Sequence, residues 1–304
     1  MCSALLLSTV AFAQDWKRPE SRDRSSEFVG FVQPGVLYER PLVLPGLQTT
    51  DYKQLSFDDK TGARTLLVEL PPGWKQPSGY HSSDLEMMVV EGIVNMGDKP
   101  MGRYSYAYYP AGYAHSLSTE KGATVLQWWA GAPDYVRSAT SRAGTKTASA
   151  IDGVLYNDIP TTVPGALPKF RDEPFMENSP IHVKLLRHDA DSGQMTWVMS
   201  VPGGPPAMSG EGHLPLWASS AGWMEGFLIA GDMTMGECLP QGQVVGRYDP
   251  NGYFFRPAGI SHGGLSQSSD TFAVWVFRTG PGHWLTYHNS CAEPSAPASG
   301  GRAP

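Results

Sequence analysis

Two histidines in this chain stand at the same place in a repeated six-residue turn. Residues 110–115 read Pro-Ala-Gly-Tyr-Ala-His and residues 257–262 read Pro-Ala-Gly-Ile-Ser-His, so that His115 and His262 each follow a glycine by three residues. Proline fixes φ and glycine accepts a left-handed conformation, a combination that favours a tight turn. An aromatic run precedes each turn and an apolar run follows it. Each histidine therefore opens a predicted strand, from which it points either into a barrel or out to water.

Two glutamates also recur at matching places. Residues 85–92 (Leu-Glu-Met-Met-Val-Val-Glu-Gly) match residues 224–231 (Met-Glu-Gly-Phe-Leu-Ile-Ala-Gly), which makes Glu86 and Glu225 equivalent. Such a carboxylate could act as an acid, a base or a ligand if a hydrogen-bond partner lies within reach. It could also lie at a surface or interface and pair with a lysine or arginine of a neighbouring strand. The second interpretation is favoured for Glu225, and both stay open for Glu86.

Three tyrosines form a stripe ahead of the first turn. Tyr104, Tyr106 and Tyr108 alternate with other residues and so share one face of a strand. Tyr104 and Tyr106, together with His262, are candidates for the lining of a pocket for a sugar or an aromatic molecule, because tyrosine offers a flat ring and a hydroxyl. Packing between sheets or between protomers also explains the stripe and is the favoured interpretation.

A hairpin precedes these elements in both halves of the chain. Residues 58–65 and 189–196 are Asp/Gly turns, each lying between two strand-like runs, of which the second ends on Pro and Gly. The order of hairpin, glutamate strand and histidine turn is the same in both halves. We therefore predict an internal duplication of an all-β unit and two tandem barrels or sandwiches.

The composition agrees with an all-β protein of many turns. The 304 residues include 34 glycines and 26 prolines, 41% of them are hydrophobic, and 17% are charged. The net charge is −6, which provides no basic patch for nucleic acid. A small-molecule ligand is the expected partner.

The N-terminus has the pattern of a secretory signal peptide. A short apolar run over residues 4–12 ends near the Ala-Phe-Ala cleavage pattern at residues 11–13, and the run is too short for a membrane span. We expect a periplasmic or secreted protein, and no other stretch reads as a membrane span. Cleavage would leave Cys238 and Cys291, which either form a disulfide or remain two free thiols.

These features resemble the cupin superfamily, duplicated as in bicupins, and are similar to anti-sigma-factor-type cupins and related exported proteins. The resemblance is carried by the two complete Pro-x-Gly-x-x-His turns and by the hairpin entry, and it covers about residues 50–132 and 180–282. It implies two tandem cupin barrels, each a jelly-roll-like double-stranded β-helix with a pocket at one mouth. In most cupins this pocket holds a divalent metal on three histidines and one glutamate.

The first cupin motif is incomplete in this sequence. Counted back from Gly92, the family's spacing places the metal ligands at residues 79, 81 and 85, which are Gly79, His81 and Leu85. Only His81 matches. Glu86 lies one residue beyond the glutamate position, and because side chains alternate along a strand it would point away from the pocket unless a bulge restored it.

The second copy retains still less of the motif. None of the three corresponding positions carries a histidine or a glutamate; they are occupied by Ala218, Ser220 and Met224. His262 is then left alone, and a structural barrel is the favoured interpretation.

The resemblance leads to two functional hypotheses. In the first, His81, His115 and a carboxylate (Glu86 or Asp84) bind a divalent Fe, Mn, Zn, Cu or Ni in the first barrel. The protein would then be a small-molecule enzyme of the dioxygenase, decarboxylase or isomerase type. In the second, the metal sites are degenerate and the protein is a non-catalytic binding protein or sensor for a sugar or an organic acid. Analogy with other cupins suggests a homodimer.

The predicted organisation of the chain is as follows: signal peptide 1–13, leader 14–47, cupin domain 48–135, linker 136–170, second cupin domain 171–290 and disordered tail 291–304.

Overall fold

The computed structural model describes residues 28–167, 180–204, 217–281, 285–288 and 290–291. The predicted signal peptide and all but the first residue of the predicted tail lie outside these ranges. In the described residues the regular structure is all strand, apart from four short 3-10 turns at Pro34–Val36, Thr147–Ser149, Tyr156–Asp158 and Pro164–Ala166. The all-β prediction is confirmed.

The described residues of the first half form thirteen strands. They are β1 Val29–Val32, β2 Arg40–Leu42, β3 Thr50–Phe57, β4 Arg64–Leu70, β5 Lys75–Tyr80, β6 Leu85–Gly92, β7 Val94–Met96, β8 Lys99–Met101, β9 Tyr106–Tyr109, β10 His115–Ser118, β11 Ala123–Trp129, β12 Val136–Arg137 and β13 Ile151–Val154.

In the second half, the part of the chain that the structure describes forms nine strands. They are β14 His182–His188, β15 Met195–Gly204, β16 Trp217–Ser220, β17 Met224–Gly231, β18 Met233–Leu239, β19 Gly242–Tyr248, β20 Tyr253–Arg256, β21 Ser261–Thr279 and β22 Leu285–His288.

The two halves repeat one strand order. The large sheet of the first half runs β9-β6-β11-β4-β3, and that of the second half runs β20-β17-β21-β15-β14, with each strand in the position of its counterpart. A second layer covers each large sheet: β12-β5-β10-β7-β8 in the first half, and β16, β18, β19, β22 and the first part of β21 in the second. Two tandem cupin barrels of jelly-roll type result.

Two strands outside the predicted domains extend the large sheets. β1 belongs to the predicted leader but pairs with β20 of the second half, and β13 belongs to the predicted linker but pairs with β9 of the first. The N-terminal segment therefore crosses to the far half, where it ties the two halves together.

Alternation along the strands divides the core into barrel interior and interface. In β6, Leu85 and Met87 pack inside the first barrel, whereas Met88 belongs to a hydrophobic cluster shared with the second half. Phe227 and Val276 supply the second half's side of that shared cluster. The two large sheets consequently pack face to face, with side chains of odd and even positions serving different cores.

Candidate functional site

The first barrel brings together the two histidines that the sequence singled out. His81 lies between β5 and β6, and His115 opens β10 directly after the Pro-Ala-Gly turn. Both side chains are buried, and their ring centroids are 5.1 Å apart. The turn thus aims His115 into the barrel, toward His81.

Backbone carbonyls fix the tautomer of both rings. His81 Nδ1 bonds to the carbonyl oxygen of Asp134, and His115 Nδ1 lies 3.0 Å from that of Tyr113. Because a carbonyl only accepts, Nδ1 carries the proton and Nε2 is left as the acceptor in each neutral ring. His115 Nε2 accepts from the amide of Gln76 at 3.1 Å. His81 Nε2 is buried and has no hydrogen-bond partner within the described ranges.

Burial keeps both imidazoles neutral. Desolvation lowers the pKa of His81 and lowers that of His115 to about 3, with the neighbouring His81 adding to the second effect. His115 also stacks on the ring of Tyr109, at a centroid distance of 3.7 Å. At neutral pH the pair therefore presents lone pairs rather than positive charge.

The cavity beside the histidines is very small. It has a volume of about 20 Å³ and is lined by Leu85, Gln76, Gln127 and His81 with apolar neighbours. That is room for about one water molecule. Gln76 and Gln127 are pocket residues that the sequence argument missed, because it considered only the family's ligand positions.

Glu86 lies on the other face of β6, away from the two histidines. Its carboxylate accepts hydrogen bonds from Tyr106 (2.7 Å) and from Thr196 (2.5 Å), and it pairs with Arg187 (3.3 Å) and Arg278 (2.9 Å). The expectation that Glu86 completes a set with His81 and His115 is therefore corrected, because no bulge reverses the strand's alternation at this position.

Asp84, the alternative third ligand, also forms its hydrogen bonds with other groups. Its carboxylate accepts from the Tyr108 hydroxyl and from the Ala111 backbone N–H, both at 2.8 Å. It holds the start of the Pro-Ala-Gly turn against β9 and does not join the histidine pair.

Glu225 occupies the equivalent place in the second half. Its carboxylate accepts from Tyr253 (2.7 Å) and from Thr65 of the first half (2.6 Å), and it pairs with Arg278 at 2.6 Å. The interpretation of Glu225 as an interface carboxylate paired with an arginine of a neighbouring strand agrees with these contacts.

The arginines keep Glu86 ionised although it is buried. Burial by itself raises the pKa of a carboxyl group, but Arg278 and Arg187, with the Thr196 and Tyr106 hydroxyls, bring the pKa of Glu86 down to about 2. The same charges raise the pKa of Arg278. The cluster is thus a fully ionised network between the halves.

The residues present do not fit the metal set that the cupin resemblance implies. The position of the first histidine is Gly79, where even a Cβ would lie 2.3 Å from the Tyr135 ring. The glutamate position is Leu85, an apolar side chain facing the cavity. No group of three or more His, Cys, Asp or Glu in the described ranges converges as a metal site. Two imidazole nitrogens remain where the family uses four ligands.

The candidate pocket residues lie in three different environments. Tyr104 has a positive φ of 66°, just before β9, and its hydroxyl donates to the Ile229 carbonyl of the second half. Tyr106 is fully buried with its hydroxyl on Glu86. His262 lies in β21 beside Glu237 of β18, far along the chain from either tyrosine. The contacts of Tyr104 and Tyr106 are those of packing between the sheets.

The second barrel contains a buried ion pair and a disulfide. Arg256 donates to both carboxylate oxygens of Glu237, and both side chains are buried. Burial raises the pKa of Glu237 against the pull of the arginine. Cys238 and Cys291 form a disulfide, so the structure joins the two cysteines that the sequence left open.

Solved structures of low sequence identity share this architecture. A candidate dioxygenase from Nostoc punctiforme has a TM-score of 0.65 at 18% identity and covers 85% of this chain and 84% of its own. A mutant of oxalate decarboxylase from Bacillus subtilis has a TM-score of 0.51 at 15% identity and covers 86% of this chain and 79% of its own. The 11S globulin procruciferin from Brassica napus has a TM-score of 0.53 at 9% identity and covers 83% of this chain and 86% of its own. These similarities concern the fold alone, and they support a fold of cupin type.

A family model gives the particular assignment. The chain belongs to the family described as "Domain of unknown function (DUF4437)", whose model matches residues 43–282. No curated protein sequence matches the chain. In the described part of the chain, no helix has the length and apolar character needed to cross a membrane.

Proposed function

We propose that this protein is a small-molecule-binding cupin that does not depend on a metal for its activity. The observation that supports the proposal most strongly is that two adjacent residues of β6 face different environments. Leu85 lines the cavity beside His81 where the family places a glutamate, and Glu86 is bound to Arg187 and Arg278 in the interface. The carboxylate that a cupin metal centre needs is thereby used to join the two barrels.

Thermal unfolding in the presence of candidate ligands tests this proposal. We expect sugars or organic acids to raise the midpoint temperature, because a ligand that binds only the folded state stabilises it by mass action. Divalent Fe, Mn, Zn, Cu and Ni should leave the midpoint unchanged. A shift produced by a metal and removed by the double substitution His81→Ala with His115→Ala would contradict the proposal.

A metal-dependent enzyme remains the second candidate, and one observation favours it. His81 Nε2 is buried with its lone pair unused by any described residue, an arrangement that otherwise carries a cost in stability. Its tautomer is the one that a metal-binding histidine has when a backbone carbonyl holds the other nitrogen. A dioxygenase or decarboxylase assay is informative only if the purified protein contains metal.

Export is part of the proposal. The signal-peptide pattern at residues 1–13 predicts it, and a disulfide such as Cys238–Cys291 is typical of an oxidising compartment. N-terminal sequencing of the protein from the periplasm or the culture medium should find a start near residue 14. An uncleaved protein that stays in the cytoplasm would contradict this part of the proposal.

A further inference from the structure

A second cavity lies between the two barrels, and it is much larger than the cavity beside His81. Whereas the histidine cavity holds about one water, a cavity of about 390 Å³ lies between the two barrels. This volume is within the range of roughly 300–1,000 Å³ that small-molecule sites occupy. A ligand larger than water therefore has room at the interface and not beside His81.

Both halves of the chain build this interface cavity. The first half contributes the Trp128 ring and the hairpin residues Asp58 and Thr61, and the second half contributes Trp223 and Phe255. The rings of Trp223 and Phe255 stack with centroids 5.8 Å apart. Trp128 and Phe255 are each only 2% exposed, so the half-buried Trp223 supplies the accessible aromatic surface in a site that otherwise carries charged groups.

The charged groups of the cavity do not favour an anion. Two arginines and three carboxylates line it: Arg187, Arg278, Asp58, Asp84 and Glu86. Each arginine is already paired with Glu86. An added carboxylate or phosphate would have to compete with a glutamate that is held in place, in surroundings that already contain more acidic than basic groups.

Two groups at the cavity retain unused hydrogen-bonding capacity. Arg278 Nε is buried and has no partner among the described residues, although its two terminal nitrogens are occupied by Glu86 and Glu225. The Gln194 side-chain amide lines the cavity, and it likewise makes no hydrogen bond within the described ranges. Because Arg278 Nε is enclosed, the half-buried Gln194 amide is the one of the two that a ligand reaches, and an amide both donates and accepts hydrogen bonds.

We propose that the interface cavity binds a neutral polyhydroxylated molecule of saccharide size. Its hydroxyl groups would exchange hydrogen bonds with the Gln194 amide, while its C–H face packs on the half-buried Trp223 ring. The Glu86–arginine pairs stay intact, and the half-buried carboxylates of Asp58 and Asp84 accept from further hydroxyls. This inference rests on the proposed binding function and specifies its location and ligand class.

Matched pairs of sugars and sugar acids test the ligand class. We would titrate the full mature protein by calorimetry with glucose, galactose, xylose, maltose and cellobiose, and with glucuronate and galacturonate. Each acid differs from its sugar by one carboxylate. We expect at least one neutral sugar to bind, and its acid to bind at least about tenfold more weakly. Tighter binding of the acids, or no binding of any neutral sugar at millimolar concentration, would overturn the inference.

Substitutions in the cavity test the location. Gln194→Ala removes an amide that has no hydrogen bond to the described protein. It should therefore lower the affinity for the sugar by roughly tenfold without lowering thermal stability. Trp223→Ala should lower the affinity for the sugar at least as much, and Trp223→Phe, which keeps a ring, should lower it less. Gln243→Ala, at an exposed site in β19, is the matched control. Equal affinity in all of these variants would place the site elsewhere.

The outcomes separate this inference from the proposed function. Binding of an organic acid without a metal effect supports the binding function and overturns the neutral-ligand assignment. Sugar binding that is lost in His81→Ala but kept in Gln194→Ala supports the binding function and overturns the location. Stoichiometric metal with turnover overturns the binding function itself.

Discussion

Glu86 and Glu225 occupy equivalent strand positions in the two halves, and a single arginine joins them. Arg278 Nη2 lies 2.9 Å from one Glu86 oxygen, and Nη1 lies 2.6 Å from one Glu225 oxygen. Each glutamate also accepts one hydroxyl from a tyrosine of its own half and one from a threonine of the other half. The interface therefore repeats one arrangement of hydrogen bonds, with Arg278 shared between its two copies.

The first prediction concerns the stability of this network. Glu86→Gln should lower the free energy of unfolding by about 3 kcal/mol, because it leaves Arg187 and part of Arg278 buried without their carboxylate. Urea denaturation of the purified variants measures the change. Glu91→Gln, at an exposed position of the same strand, serves as the control and should change stability by less than about 0.5 kcal/mol. Equal stability of both variants would show that the network contributes little.

The second prediction concerns acid pH. Because burial lowers the pKa of His81 and His115 in the folded state, the unfolded chain binds more protons below about pH 6.5, and stability falls as the pH is lowered. For His115, whose folded pKa is about 3, the loss at pH 5 should be about 2 kcal/mol.

The contribution of Glu86 to stability changes over a different pH range. Its pKa is lowered from 4.5 to about 2, so its stabilising effect is complete above the unfolded value and is lost as the pH falls through the folded one. Glu86 therefore contributes little between pH 6.5 and 5, and comparing wild type with a His115 variant in this range isolates the histidine. His115→Gln should have a shallower pH dependence in this window than the wild type, and an unchanged slope would contradict the burial of a neutral His115.

A third prediction restores the missing carboxylate. Leu85→Glu places an acid beside His81, in the cavity that Leu85 now fills, and without metal it should destabilise the protein by several kcal/mol. Zn²⁺ or Mn²⁺ should recover part of this loss if the new side chain joins His81 and His115 as a third ligand. Glu86→Gln should show no such recovery. Metal stabilisation of wild type and Leu85→Glu to the same extent would contradict our view of Leu85.

A fourth prediction concerns the disulfide. Cys238 and Cys291 are separated by 53 residues, and closing a loop of this size stabilises a protein by about 4 kcal/mol in the chain-entropy model. Cys291→Ser should lower the midpoint of thermal unfolding, and dithiothreitol should have the same effect on the wild type but none on the variant. An identical midpoint for oxidised and reduced wild type would indicate that the bond does not constrain the fold.

Local patterns in the sequence were sufficient to predict the two barrels. Each Pro-Ala-Gly turn and each Asp/Gly hairpin is determined by neighbouring residues, and strand alternation alone argued that Glu86 faces away from the histidines. The paths of β1 and β13 could not be obtained in this way. Both are short strands whose partners, β20 and β9, are chosen by the packing of the two halves rather than by any nearby residue.

The partners of the glutamates were equally out of reach of local reasoning. Thr196, Arg187 and Arg278 meet Glu86 only because the two large sheets pack face to face, and each is about a hundred residues or more away along the chain. The equivalence of Glu86 and Glu225 was visible in the repeat, but the sequence left the role of Glu86 open between a functional and a structural carboxylate. The cavity at the interface between the two barrels could not be predicted from the spacing of residues.

Elemental analysis of the purified wild-type protein tests the central claim most directly. The protein would be produced with Fe, Mn, Zn, Cu and Ni all available and compared with the double variant His81→Ala with His115→Ala. We predict far less than one equivalent of any metal per chain in the wild type, and no difference between the two proteins. One equivalent of metal in the wild type that is absent from the double variant would contradict the account.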